Sequence, residues 1–126
     1  MKQVKNDRIF SITSHMPQLI AYNLVKTAID LEKKNNSSII QFSGGGLRDF
    51  TRTASSSEIM WKDVSIFNKS NILKSFKQFT KNLNKMSNFI KNEKGNELKK
   101  IFRNTKKIRK KIISAKQDTS KHEFGR

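Results

Sequence analysis

The chain has 126 residues, with 27 Lys plus Arg against 10 Asp plus Glu for a formal net charge of +17, and it contains no cysteine. That length suits one domain and leaves no room for a second with its own nucleotide fold, since domains run to ~100–150 residues; the missing cysteine removes disulfide frameworks, thiolate metal sites and cysteine nucleophiles together. Its apolar runs fall far short of the ~20 residues that cross a bilayer, and the opening MKQVKNDRIF has no apolar h-region, so the expected compartment is the cytoplasm.

One Pro, five Gly and long 3.6-residue patterns predict an all-α chain. A first helix is expected from about Asp7 to Lys33, with Asp7 as its N-cap and the NNSS run at residues 35–38 as its stop. Ile9, Phe10, Ile12, Met16, Leu19, Ile20, Ala21 and Leu24 cover most of its circumference, which predicts burial on several sides. Pro17 falls inside this helix, where it removes the amide that would bond the Thr13 carbonyl and so kinks the rod or leaves that carbonyl available. Beside the kink, Ser11, His15, Gln18 and Tyr22 follow at spacings of 4, 3 and 4 and share one face, with Ser14 alongside. A polar seam of this kind is either a solvated side or the wall of a polar pocket.

A short apolar strip at residues 39–42 leads into SGGGLRDFTRTASSSEIMW, from Ser43 to Trp61. Three consecutive glycines predict a turn with positive φ or a close approach of backbone to another group. Leu47 to Ala54 reads as one or two helical turns, and a second short helix is expected from the serine run Ser55 to Ser57, with Glu58 in its first turn, to about Phe67. From Ser70 to Asn92, the residues Ile72, Phe76, Phe79, Leu83, Met86 and Ile90 recur at 4, 3, 4, 3 and 4. Gly95 interrupts this heptad pattern, and Leu98, Ile101, Thr105, Ile108 and Ile112 continue it at 3, 4, 3 and 4 to near Lys116. The expected result is an antiparallel pair of long helices joined at a glycine. Residues 117–126 lack periodicity and read as a flexible tail. The helices together offer more apolar surface than one small core needs, which dimerisation resolves.

Of the two histidines, His15 is the candidate for chemistry and His122 falls in the tail. There is no HExxH and no carboxylate at ligand spacing beside His15, so no metal site is expected within the chain. GGGLRD lacks the GxGxxG spacing and follows a helix, so it is not a dinucleotide fingerprint, and it lacks the ending of a P-loop. Arg48 and Arg52 stand four apart, on one face of a short helix, where an arginine fork suits a carboxylate. Equally, Asp49 can pair with an arginine on the surface, a contact worth little. The single Trp61 reads as core or interface packing. KKIRKK, Lys106 to Lys111, has the composition of an anion-binding patch, yet Ile108 and Ile112 lie on the apolar stripe and the lysines between them read as its wet face. Lys outnumbers Arg 21 to 6 beside 14 Ile and 12 Asn, a bias that A+T-rich codons produce without selection for polyanions. The alternative function on these grounds is a small basic helical nucleic-acid-binding protein, which finds no helix-turn-helix or zinc signature here.

DRIFSITSHMPQLIAYNLV (Asp7 to Val25) followed by SGGGLRDFTRTASSSEIMWKDV (Ser43 to Val64) closely resembles the C-terminal helical domain of the prephenate/arogenate dehydrogenases of tyrosine biosynthesis, from about Asn6 to Ile113. The resemblance implies a substrate-binding and dimerisation domain over residues 6–116, an intertwined homodimer, and a Rossmann nucleotide-binding domain supplied in cis or trans, absent from this chain. It also implies an enzyme that oxidatively decarboxylates prephenate or arogenate with hydride transfer to NAD or NADP. No cofactor is expected on this chain alone. Arg52, in the family's FTR motif, is expected to bind a substrate carboxylate, and Ser14 and His15, of its SHxPH motif, to line the pocket. Gly45, Asp49 and Trp61 are expected to complete the partner subunit's site or support it. Gln18 stands where that motif often ends in His; it can donate and accept hydrogen bonds within the pocket but cannot become cationic. Asn6-Asp7 stands where His-Asp is common. The family's principal catalytic histidine belongs to the nucleotide-binding half, His15 is not its equivalent, and the isolated chain is expected to be inactive.

Overall fold

The computed structural model describes residues 2–36 and 44–115, with side chains from Asn6 onward. Every regular element among them is helical: α1 (Lys2–Phe10), a π-helical turn (Ser11–His15), α2 (Met16–Asn35), α3 (Gly45–Thr53), α4 (Glu58–Phe67), α5 (Lys69–Lys91) and α6 (Gly95–Ala115). The all-α expectation holds, and α3 to α6 start and stop close to where the spacing puts them. The strip at 39–42, Ser37, Ser38, Ser43 and the tail at 117–126 lie outside the described residues.

The chain falls into two units whose boundary lies within α5, between Phe79 and Thr80. In the first, the helix begins at Lys2, so Asp7 sits inside α1 and is not its N-cap. Residues 2–6 hold no Gly or Pro, and their Lys and Gln are good helix formers, so nothing stops the run at Asp7. The expected kink takes the form of the π turn: the Met16 N–H bonds the Ser11 carbonyl, five residues back. Pro17 then sits in the first turn of α2, where its missing amide is tolerated. In an unbroken α-helix its ring would press on the Thr13 carbonyl, and the wider turn relieves that clash. α2 stops at Asn35, with Asn36 in the left-handed region at φ 51° and its N–H turned back to the carbonyls of Glu32 and Lys33.

The glycine run behaves differently from expectation. None of the described glycines has positive φ. Gly44 is extended and precedes α3, Gly45 and Gly46 form its first turn, and a Cβ on any of the three would meet no atom of a packed neighbour within 4 Å among the described residues. A positive-φ turn does not account for them, and among the described residues no packed neighbour does; they leave the start of α3 with bare backbone. The serine run acts as predicted, since the Ser57 Oγ accepts the Met60 N–H at 3.2 Å and starts α4.

The interior of this unit is small and more polar than the pattern suggests. Ala21 and Ile72 are its buried apolar residues, and Ser11, Asn68 and Ser75 are buried with them. Each of these polar side chains is bonded: the Ser11 Oγ donates to the Arg8 carbonyl at 2.6 Å and lies 3.2 Å from the Ser75 Oγ, and Asn68 is held on three sides. The burial on several sides expected for the first helix is not realised within one chain, where Ile9, Phe10, Ile12 and Leu24 stay half-exposed. The face that turns toward α3 and α5 is the one carrying the polar seam and Ala21, so the apolar residues on the rest of the circumference are only partly covered.

In the second unit the reversal between α5 and α6 is made at Glu93, not at Gly95. The Lys94 N–H bonds the Phe89 carbonyl at 2.8 Å and the Glu93 N–H bonds the Ile90 carbonyl at 3.1 Å, a Schellman arrangement with Glu93 at φ 53°. Gly95 is the first residue of α6. Lys85 and Phe89 of α5 share a cleft beside this turn with Glu97, Ile101 and Asn104 of α6. Farther along, the stripe expected to be buried is open, with Ile108 at 46% and Ile112 at 47% exposure, and Leu83 and Ile90 on α5 are open as well. No helix among the described residues is long and apolar enough to cross a membrane.

A Cβ in the left-handed region costs ~1–2 kcal/mol, and glycine's extra chain entropy returns part of that. Glu93→Gly is therefore expected to stabilise the chain by about 0.5–1 kcal/mol and raise its thermal midpoint by a few degrees; a lowered midpoint would show that the Glu93 side chain supports the turn.

Candidate functional site

His15 closes the π turn, and that position delivers its ring to a half-enclosed place. Trp61 of α4 meets it edge-on, with centroids 6.0 Å apart and planes at 78°. Phe10 lies 6.4 Å away and tilted by 45°. On the ring edge, Nδ1 is 3.0 Å from Nδ2 of Asn68, the residue between α4 and α5. Asn68 is 4% exposed. Its Nδ2 also donates to the Asp7 carbonyl at 2.8 Å, and its Oδ1 accepts from Nδ2 of Asn71 at 2.9 Å.

Every member of the polar seam bonds beyond its own helix. Ser11 meets Ser75, His15 meets Asn68, Gln18 donates from Nε2 to the Thr53 carbonyl at 2.7 Å, and the Tyr22 hydroxyl donates to the Ser56 carbonyl at 3.0 Å. Gln18 and Tyr22 therefore dock the end of α3 and the segment after it onto α2, against which α3 packs, while Ser11 and His15 tie the π turn to α5 and the residue before it. Thr53 is the last residue of α3 and directly follows Arg52, so the end of α3 that carries Arg52 is fastened one turn from His15.

Arg52 itself is 81% exposed, and its guanidinium lies 3.6 Å from Oδ1 of Asp49, itself 72% exposed. The surface pairing of Asp49 with an arginine is thus present, and a pair this exposed holds neither partner firmly. Arg48 is exposed on the same helix, and Ser14 is exposed beside His15. Gly45 opens α3, ~12 Å along its axis from Thr53 at ~1.5 Å per residue. The structure thus brings together His15, Gln18, Trp61 and the backbone beside Arg52, and it leaves Ser14, Gly45 and the Arg52–Asp49 pair facing outward. Among the described residues, no group of three His, Asp or Glu could hold a metal ion.

Asn68 and Ser75 escaped the sequence reading. Their signal is a second stripe that starts at Asn68, just before α5, and runs along α5 through Ile72, Ser75 and Phe79 at spacings of 4, 3 and 4, which shares Ile72 and Phe79 with the heptad row and carries polar residues where that row has none. Set against Ser11 and His15, it is the complementary half of the seam.

Residues 3–104 match the family described as prephenate dehydrogenase, dimerization domain. Over 109 residues, 86% of the chain, the sequence is 32% identical to cyclohexadienyl dehydrogenase of Zymomonas mobilis and, over the same length, 32% identical to prephenate dehydrogenase of Bacillus subtilis. The fold is similar to that of prephenate dehydrogenase from A. aeolicus, solved in complex with hydroxyphenyl propionate and NAD+, with a TM-score of 0.77 and 36% identity over 84% of this chain. The chain spans 37%, 29% and 37% of the lengths of these three proteins, respectively.

The ties to α2 can be cut singly. Tyr22→Phe removes only the hydroxyl bonded to the Ser56 carbonyl, and the expected loss is about 0.5–1.5 kcal/mol in denaturant unfolding. Amide exchange should quicken in α3 and the 54–57 segment while the middle of α2 stays protected; uniform acceleration across both helices would contradict the docking role.

Proposed function

The chain belongs to the prephenate dehydrogenase dimerization-domain family, and from that premise we propose that it supplies the substrate-binding and dimerising part of a prephenate or arogenate dehydrogenase. The observation that carries this reading is the docking of the Arg52 end of α3 beside His15, which Phe10 and Trp61 flank. An imidazole between aromatic rings, with a guanidinium on the next helix, suits an acidic ring compound: the rings contact its carbon frame, and the arginine fork matches a carboxylate. In this reading Arg52 takes the carboxylate, and Ser14, His15 and Gln18 line the pocket. Gly45, Asp49 and Trp61 support the site or complete that of the partner subunit.

The relatives' names support a prephenate-like substrate, and the NAD+ bound to the A. aeolicus protein supports a nicotinamide nucleotide. The residues here do not fit that nucleotide. Gly44, Gly45 and Gly46 run on without the GxGxxG spacing and begin a helix that packs on another helix, where a dinucleotide cradle needs a glycine turn between strand and helix. Hydride transfer is therefore assigned to a nucleotide-binding domain in cis or trans, and this chain's share is to bind and orient the acid. Its open apolar rows on α5 and α6 suit a second copy of the chain, which makes the unit a homodimer.

Arg52→Lys replaces a fork by a point charge. In a complete two-domain enzyme carrying this chain, substrate affinity is expected to fall ten- to a hundredfold, the weight of about 1.5–3 kcal/mol that charged hydrogen bonds carry. An unchanged affinity refutes the role of Arg52.

A further inference from the structure

Deepening that reading, and resting on its placement of His15 in the substrate pocket, we propose that Asn68 is a positioning residue. It holds His15 as the Nε2–H tautomer, so that a neutral imidazole offers a hydrogen-bond donor to an acceptor oxygen of the bound acid.

The orientation of the Asn68 amide follows from its surroundings. The Asp7 carbonyl, 2.8 Å away, can only accept, so the atom facing it is the nitrogen; the other end, Oδ1, receives Nδ2 of Asn71 at 2.9 Å. Nδ2 has two hydrogens, and the second is directed at Nδ1 of His15 at 3.0 Å. A ring nitrogen that accepts a hydrogen bond carries no proton, so the neutral ring has its proton on Nε2. Among the described residues Nε2 has no protein partner, and Phe10 and Trp61 limit how the ring can turn.

Asn68 is itself immobilised. Its N–H bonds the Val64 carbonyl and its carbonyl accepts the Ile72 N–H, each at 3.0 Å, which locks it between α4 and α5. The choice of an amide over a carboxylate is the telling feature. An aspartate at this position would accept, would draw the proton to Nδ1, and would leave a neutral ring presenting a lone pair on Nε2 to an anionic ligand. Asparagine does the reverse, and the Asp7 carbonyl keeps it from flipping.

The test is nitrogen-15 NMR of the full chain, in which His15 and His122 are the two histidines and His122→Gln assigns the signals. His15 is expected in a single tautomer with an unprotonated Nδ1. Asn68→Asp is expected to move the proton to Nδ1, and Asn68→Ala to release the ring to a mixture of tautomers; circular dichroism identifies which variants remain helical. A wild-type His15 protonated at Nδ1, or a tautomer unchanged in a folded variant at Asn68, overturns the proposal. In the complete two-domain enzyme, Asn68→Asp is expected to raise KM about tenfold, equivalent to about 1.4 kcal/mol, with little change in kcat, and to add nothing in a His15→Gln background. An equal effect in that background also overturns it. If His15→Gln alone leaves KM unchanged, the pocket reading fails, and the ligand half of the proposal fails with it, whatever tautomer the spectra report.

Discussion

Pro17 has no amide hydrogen, and much of the architecture around His15 follows from that single lack. A helix that ran straight through this proline would drive its ring into the Thr13 carbonyl. The chain answers with the π turn at Ser11–His15, closed by the Met16 N–H on the Ser11 carbonyl, and restarts as α2 with the proline in its first turn. Such one-turn insertions change the angular relation between the residues before and after them, and they recur at functional sites. Here the turn contains both Ser11 and His15, the two seam residues that reach the start of α5. The ties made by Gln18 and Tyr22 come from the regular helix that follows, and they carry the end of α3 to the same face.

The same geometry explains why the interior is polar. Ser11, Asn68 and Ser75 occupy positions that a self-sufficient helical domain would give to Leu or Ile, and each is bonded there. Bonded polar groups can be buried without penalty, yet they contribute little net stability, roughly 1 kcal/mol each, whereas a fully buried Leu, Ile or Phe contributes ~1.5–3 kcal/mol. The apolar residues that would supply that larger contribution stand half-exposed, from Phe10 and Ile12 to Ile108 and Ile112. Within one chain the interior sets geometry more than stability. Stability is left to surfaces that a second copy can cover, in keeping with a family described by its dimerization domain.

How far the sequence could be read depended on the range of the interaction involved. Local signals were legible: Ser57 as a cap, the heptad rows of α5 and α6, and Asn36 ending α2. Pro17 announced a disturbance, although its form, a π turn, depends on how the surrounding carbonyls are satisfied. The stripe that carries Asn68 stands in the sequence, but its meaning lies in partners 53 and 61 residues away, which spacing alone does not give. The glycines misled twice. Gly95 drew attention from Glu93, which takes the left-handed conformation two residues earlier, and the Gly44 to Gly46 run has no positive φ and, among the described residues, nothing that a Cβ there would meet. For the site, spacing put the seam on one face and composition gave Trp61 only as packing, while the exposed Arg52–Asp49 pair is the surface alternative that the residues left open beside carboxylate binding.

That outward direction bears on how Arg52 would serve a ligand. An arginine locked in a buried ion pair would have to break a costly contact before it met a substrate. Arg52 instead lies 3.6 Å from an Asp49 that is itself largely in water, a pairing of the kind worth at most ~1 kcal/mol. A carboxylate engaging the fork through two short hydrogen bonds gains ~1.5–3 kcal/mol by comparison, so the exchange favours the ligand. Fastening the Thr53 carbonyl to Gln18 fixes the backbone beside Arg52 while the exposed side chain stays free to move, and in the proposed reading that freedom is what would let the guanidinium meet a substrate carboxylate.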